Sequence, residues 1–346
     1  MHGDRSSRAR RVIAVLTGLQ LPALLLGVAL GVVALSPDVL FDTLADALRG
    51  VTSSQAALII GHIRLPRTLL AAACGAILAL CGAVTQGLFR NPLADPSLIG
   101  VTGGASLGAA LVMVLAAPAG LALMLGLVSA GAFLGGAAAV ILVYRLATDS
   151  SGTSVATMLL AGIGITALSG AAVSLLEFHA DNQMLRRISL WKMGSFDNAR
   201  LPELGLAFCV TALLCAVLPR YASSLNALLL GESEASHLGV DVARLKRHLV
   251  AWVALGVGVS VALAGTIAFV GLVVPHMIRL LTGPDHRYLL PASALAGALL
   301  LMCADTAARL LAPPAEVPVG ILTALLGVPF FISLLRQRRQ FGLPAA

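Results

Sequence analysis

Arg64 and Arg67 stand three residues apart in Arg64-Leu-Pro-Arg67 at the head of a long apolar run, and Arg309 closes another such run four residues after Asp305. A guanidinium offers a fixed fork of donors matched to carboxylates. Arginines in these places therefore suit either an acidic partner or simple interfacial anchoring, in which a long side chain reaches for water; Arg309 is also spaced for an i,i+4 pair with Asp305. Residues 220–247 form a polar stretch carrying Leu230, Gly231, Glu232, Glu234, Ala235, His237, Leu238 and Gly239 between apolar runs, a composition that fits a solvated connector as well as a docking segment. Asn91-Pro92-Leu93 reads as a turn, because proline disfavours helix in the residue before it. Residues 181–198 are too polar to cross a membrane but carry Met184, Leu185, Ile188, Trp191 and Met193. They fit an ordinary loop or a helix lying on the outer face, with Trp191 and Met193 lining an entry cavity there.

Enzymatic chemistry is not indicated. The chain has no Gly-Lys dipeptide, which excludes a phosphate-cradling G-x-x-x-x-G-K-[ST] loop and assigns any ATP hydrolysis to another chain. Gly162-Ile-Gly164 matches a dinucleotide fingerprint poorly and lies within an apolar run, where helix packing explains it. There is no H-E-x-x-H, and the seven histidines are scattered. Cys74, Cys81, Cys209, Cys215 and Cys303 all fall in apolar segments without C-x-x-C spacing, as small buried residues do. No catalytic residue, metal ligand or bound cofactor is expected.

The elements that must position these residues are membrane-spanning. Of the 346 residues 58% are hydrophobic and 11% charged, against roughly one-quarter charged in a soluble domain. Between Asp95 and Arg145 the chain is uncharged; at about 20 residues per crossing it must cross twice there, turning near Pro118-Ala119-Gly120. The net charge is +7, but Lys and Arg occupy short segments between apolar runs, as membrane topology rather than nucleic-acid binding dictates. Spans fall near residues 12–35, 57–88, 96–117, 120–145, 155–178, 201–219, 289–312 and 317–335. The basic start resembles a signal peptide, but its apolar run is too long for one and reads as a retained first helix.

Residues 248–282, interrupted by Pro275 and several glycines, are too long for one crossing and barely enough for two. Two crossings put fifteen of the 23 Lys and Arg on the cytoplasmic side and eight outside; one crossing gives eleven and twelve. The positive-inside bias selects two. The fold class is thus an all-α membrane protein of about ten transmembrane helices with both termini cytoplasmic, and Tyr144, Tyr221 and Tyr288 lie near cytoplasmic helix ends. Gly27/Gly31, Gly104/Gly108 and Gly131/Gly135 predict closely packed helices.

Arg64-Leu-Pro-Arg67 is followed by Q-G-L-F-R-N-P-L-A-D-P-S-L-I-G-V-T-G-G-A at 86–105, L-L-A-G-I-G at 159–164 and W-K-M-G-S-F at 191–196. Then come L-L-L-G-E-S-E-A-S-H-L-G-V at 228–240, A-G-T-I-A-F-V-G-L-V-V-P-H-M-I-R at 264–279, G-P-D-H-R at 283–287 and A-D-T-A-A-R-L at 304–310. In this order, over about residues 60–335, the sequence closely resembles the permeases of the vitamin B12, ferric siderophore and haem ABC importers (type II importers).

The resemblance implies one transmembrane permease domain over residues 1–346 in the bacterial inner membrane, surrounded by lipid. Helices two to five and seven to ten form inverted repeats, and two copies of the chain enclose a central pathway. The implied partners are two ATPase subunits, which use ATP and Mg, and a periplasmic substrate-binding protein. Residues 220–247 become a cytoplasmic coupling loop in which Leu230, Gly231, Glu232, Ala235, Leu238 and Gly239 dock on the ATPase. Arg64, Arg67 and Arg309 match arginines that receive acidic side chains of the binding protein, while Asn91 and Leu93 match residues that narrow the cytoplasmic gate. The form Q-G-L-F-R-N-P-L-A-D-P is most similar to haem-type permeases, with ferric siderophores and cobalamin as alternatives. A secondary transporter is the rival of another class; such carriers commonly hold ionisable groups in mid-membrane, whereas Glu177 and Asp305 lie close to helix ends here. A membrane-embedded enzyme lacks any convergent constellation of groups.

Overall fold

The computed structural model describes residues 2–31, 43, 46, 49, 55–116, 121–149, 152–197 and 199–340. Helix α1 spans His2–Ala29, α2 Leu65–Leu88, α3 Val101–Leu115, α4 Leu121–Leu146 and α5 Val155–His179. These are followed by α6 (Asn182–Lys192), α7 (Leu201–Val217), α8 (Ala222–Leu228), α9 (Glu232–His237), α10 (Val242–Ala264), α11 (Val270–Thr282), α12 (His286–Leu311) and α13 (Val319–Gln340). A two-residue hairpin, Thr148–Asp149 against Gly152–Thr153, joins α4 to α5 and is the one β element among the described residues. Among the described residues seven helices are long and apolar enough to cross a membrane, and Val101–Leu115, Val270–Thr282 and Val319–Leu334 are shorter apolar helices. Together they make up the expected ten.

The central pair is α2 and α12. A Cβ on Gly75 of α2 would overlap the backbone of Gly297 of α12, and the reverse also holds, so the two helices touch backbone to backbone. α3 and α4 meet the same way through Gly104 and Gly108 against Gly135 and Gly131, as the small-residue spacing predicts. α2 is buried along nearly its whole length, flanked by α7, α10 and α11. It continues a lead-in from Gln55 through a π-helical turn, Ile59–Arg64. Pro66, which has no amide hydrogen, follows where that turn gives way to α-helix.

Several boundaries differ from the sequence reading. The first helix begins ten residues before the predicted 12–35 span, carrying Arg5, Arg8, Arg10 and Arg11 on helix; residues 32–35 and the turn at 118–120 lie outside the described residues. The third crossing starts at Val101 rather than 96, because Pro96–Ile99 is a 3-10 turn capped by the Asp95 carboxylate and ended by left-handed Gly100. The stretch 248–282 divides into two helices where Gly265 and Phe269 both adopt φ of 68°. Its first helix takes in residues 242–247, so the polar loop ends at Asp241 instead of 247. Three cysteines also depart from expectation: Cys74 and Cys81 are buried, but Cys209, Cys215 and Cys303 are exposed on the chain's surface. In a membrane an apolar face turned to lipid needs no protein cover, so hydrophobic sequence does not imply burial in the protein.

Candidate functional site

α3 and α11 are short, at 15 and 13 residues, and they hold matching places as second helices of the two proposed repeats. Each is entered through broken backbone: Asp95 to Gly100 before α3, Gly265 to Phe269 before α11. These two breaks face a common cavity of about 570 Å³. Asp95, Pro96 and Thr102 line it from one segment, Thr266 and Phe269 from the other, and Ile163 of α5 lies beside them. Helix breaks at membrane depth are tolerated where they line a cavity, and paired breaks in two repeats mark substrate sites in transporters. The hydroxyls of Thr102, in the first turn of α3, and of Thr266, in the second break, are buried without hydrogen-bond partners among the described residues. Gly162 brings α5 onto the first break, since a Cβ there would strike the Leu98 carbonyl oxygen; the packing reading of that glycine holds. Neither threonine was singled out from sequence, although two Gly- or Pro-interrupted apolar runs in corresponding positions were the available signal.

Trp191 and Met193 sit at the C-terminal end of α6, which is the helix alternative for residues 181–198. The Asp181 carboxylate accepts from the Met184 amide at 2.7 Å and starts it. Trp191 lines a second cavity, of about 350 Å³, with Met113, Met124 and Arg187; the Met193 side chain is exposed. The backbone of both residues is clamped. A Cβ on Gly265 would strike the Trp191 carbonyl oxygen, one on Gly320 that of Met193, and the Ser195 amide donates to Ala264 O at 2.9 Å. Gly265 thus answers two demands at once, a left-handed φ and a close backbone neighbour.

At the far end of α2 the helix stops at Leu88, and Arg90 takes φ of 50°. Asn91 then folds its side chain forward to accept the Leu93 amide at 2.9 Å, so the two gate candidates form one Asx turn leading into Asp95 and the cavity. The 220–247 region is mostly helical. Gly231, at φ 124°, opens α9, and Gly239, at φ 83°, follows it. Ala235 is buried on the inner side, while Leu230 and Leu238 are 66% and 64% exposed, one at each end of α9.

The inner sides of α8 and α9 grip separate parts of the bundle. Asn226 of α8 donates to Asp285 Oδ1 at 2.7 Å and accepts from the His286 amide at 2.9 Å, fixing the first turn of α12. Glu232 of α9 meets Lys246 of α10 at 2.7 Å, and the same buried ammonium donates to Thr153 O at 2.7 Å in the α4–α5 hairpin. Asn226 and Lys246 were not picked from sequence, where a polar residue in a loop and a lysine in a basic cluster carry no mark of their partners.

The three arginines do converge at the opposite end of α2 and α12, but not as an open positive patch. All are buried, at 4%, 5% and 3% exposure for Arg64, Arg67 and Arg309. Arg64 donates to Val28 O at 3.1 Å and Ala29 O at 2.8 Å. Arg309 donates to Gly27 O at 2.9 Å and Leu30 O at 3.2 Å, and its Nε lies 3.2 Å from Asp305 Oδ2 in the expected i,i+4 pair. Arg67 is shared among Asp305 at 2.9 Å, Asp197 at 2.7 Å and Glu316. Three carboxylates therefore balance three guanidiniums. The anchoring reading, in which these side chains reach for water, is corrected: the arginines are buried, and Asp197 and Glu316, distant in sequence, arrive at Arg67 through the loops before α7 and α13.

A bundle of about ten crossings with two broken half-helices around one cavity defines a membrane transport protein. The chain belongs to the FecCD transport family, which it matches over residues 19–337. It is 49% identical to the hemin transport system permease protein HmuU of Yersinia pestis over 81% of this chain and 84% of that protein. It is 46% identical to the cobalamin import system permease protein BtuC of Halobacterium salinarum over 83% and 76%. Among solved structures, it matches an inward-facing metal-chelate type ABC transporter with a TM-score of 0.82 and 33% identity, covering 95% and 99% of the two chains. The chain is accordingly the transmembrane permease of a type II ABC importer, a multi-pass subunit rather than an enzyme.

Proposed function

We propose that two copies of this chain form the haem pathway of an importer in the bacterial inner membrane, with both termini in the cytoplasm. The observation that carries the reading is the largely apolar cavity between the two helix breaks, with its unpaired Thr102 and Thr266 hydroxyls. It suits a flat hydrophobic ligand with a few polar substituents, and the 49% identity to a hemin permease points the same way. The exposed apolar face of α5, including Leu160, Leu168 and Leu175, is where the second copy packs.

ATP and Mg are used by two separate ATPase subunits, which seat the exposed Leu230 and Leu238. Their closing motion passes through Asn226 to α12 and through Glu232 and Lys246 to α10 and the hairpin, a rigid-body drive of packed helices. Asn91 and Leu93 form the inner gate below the cavity. A periplasmic binding protein delivers ligand at the arginine end. There Arg67 is the group a docking carboxylate reaches, by displacing the partly exposed Asp197 and Glu316, while Arg64 and Arg309 hold α1 beneath it.

The test is uptake by proteoliposomes containing the chain, its ATPase and its binding protein. Haem should accumulate only with ATP. Cobalamin or a ferric siderophore accumulating in its place would reassign the substrate, and uptake driven by an ion gradient without the ATPase would remove the importer reading.

A further inference from the structure

A groove of about 460 Å³ runs between α4 and α10, away from the cavity described above. Its walls are apolar from Phe133 and Ala137 to Ala254 and Leu255, whereas one mouth carries Tyr144, Arg145 and Arg247. Arg145 lies in the last turn of α4 and Arg247 in the second turn of α10, so two antiparallel helices bring their cations to one level. Both arginines are exposed, and among the described residues no carboxylate pairs with either. The neighbouring Lys246, in contrast, turns inward to Glu232 and Thr153. At about 1.5 Å per residue, the helix from Phe133 to Tyr144 measures about 16 Å, most of the length of an extended acyl chain. The Phe133 ring closes the deep end against Gly258.

We propose that this groove binds one anionic phospholipid. The phosphodiester is held between Arg145 and Arg247, and an acyl chain lies along the apolar walls. Three features select a lipid over a protein helix or a free anion. The walls belong to helices that cross the membrane, the paired guanidiniums suit phosphate in a forked geometry, and basic pockets between transmembrane helices at the headgroup level recognise acidic lipids. Arg145 and Arg247 are next to the Glu232–Lys246–Thr153 link, so a bound headgroup ties α4 to α10 at the end where the coupling segment acts; this consequence rests on the proposed function, whereas binding itself does not.

Native mass spectrometry of the full-length chain, released from nanodiscs of equal phosphatidylglycerol and phosphatidylcholine with matched acyl chains, tests the site. One retained phosphatidylglycerol per chain is expected. At about fivefold per arginine, its preference over phosphatidylcholine is roughly 25-fold. The double variant Arg145→Gln, Arg247→Gln should lose that preference, and millimolar inorganic phosphate should not displace the adduct. Equal retention of the two lipids by the unaltered chain, or undiminished preference in the double variant, overturns the proposal; displacement by inorganic phosphate reassigns the site to a free anion. If the double variant does not assemble, Ala251→Trp decides. It fills the groove without altering charge, so it should abolish the retained lipid, and an unchanged adduct would overturn the site.

Discussion

The two ends of α2 and α12 are built on opposite principles. At one end Arg64, Arg67 and Arg309 turn inward and are met by Asp197, Asp305, Glu316 and the carbonyls at the end of α1. At the other, Leu230 and Leu238 flank α9 largely exposed among the described residues. One end closes on itself through long-range charge pairs, whereas the other leaves apolar side chains open, the surface proposed above to seat the ATPase. Charge at a helix boundary therefore does not by itself distinguish a docking surface from an internal clasp; the location of the compensating groups does.

The largest effect expected from this contrast is at Asp305, whose side chain is 1% exposed and faces both Arg67 and Arg309. Removing one member of a buried ionic cluster costs about 3–5 kcal/mol, because the charges left behind are uncompensated. Asp305→Ala should leave little monodisperse protein in fluorescence-detected size exclusion, with a sharply lower melting temperature. A normal profile would mean that the arginine end is not the closed clasp described.

Next is the open end. Leu230→Ser with Leu238→Ser removes exposed apolar surface, so the isolated chain should melt as before. If those leucines are anchors worth about 2 kcal/mol together, ATPase affinity should drop roughly thirtyfold, as read by biolayer interferometry. Unchanged affinity would show that α9 is a solvated connector. A smaller, mechanical effect is expected at Lys246. Lys246→Met removes a buried ammonium whose acidic partner, Glu232, is 40% exposed and can turn to water, so it should cost less stability than Asp305→Ala, which strands fully buried charges. It cuts the link from Glu232 to Thr153 and should raise the ATP hydrolysed per substrate moved by several-fold, while Lys246→Arg recovers part of the coupling. A preserved stoichiometry in the Met variant would confine Lys246 to a structural role.

The crossings were legible because they depend on composition and run length, which are local properties. The split of 248–282 followed from charge counting, and its mechanical reason, left-handed Gly265 and Phe269, is local too. The breaks around the cavity were less visible, because Asp95-Pro96 and Gly265-Thr266 announce turns without saying that the turns face each other. The partners of Arg67 were invisible: Asp197 and Glu316 lie 130 and 249 residues away, and nothing in either loop marks it as destined for α2. From sequence these arginines were free to reach for water, and that reading is corrected, since burial by distant loops has no local signature.

That correction changes how docking must be tested. Reversing Arg64, Arg67 and Arg309 to glutamate would place three new carboxylates beside three existing ones and collapse the cluster, so loss of binding would report folding rather than recognition. The informative substitutions are on the acids. The side chains of Asp197 and Glu316 are 52% and 35% exposed, and each meets Arg67 Nη1, while Asp305 holds the other side of the guanidinium. The acid side of each pair is partly solvated while Arg67 is buried, so Asp197→Asn with Glu316→Gln should lower the melting temperature less than Asp305→Ala does and keep Arg67 in place through Asp305. If a carboxylate of the binding protein takes over Nη1 on docking, the double variant no longer competes with it, and affinity should rise by a few-fold. The gain should be larger at low salt, as unscreened charge complementarity requires. Surface plasmon resonance against the binding protein at two ionic strengths measures both. Affinity that is unchanged at either strength would leave Arg67 an internal tie between α2, α12 and the two loops, with ligand delivery resting on other residues of that face.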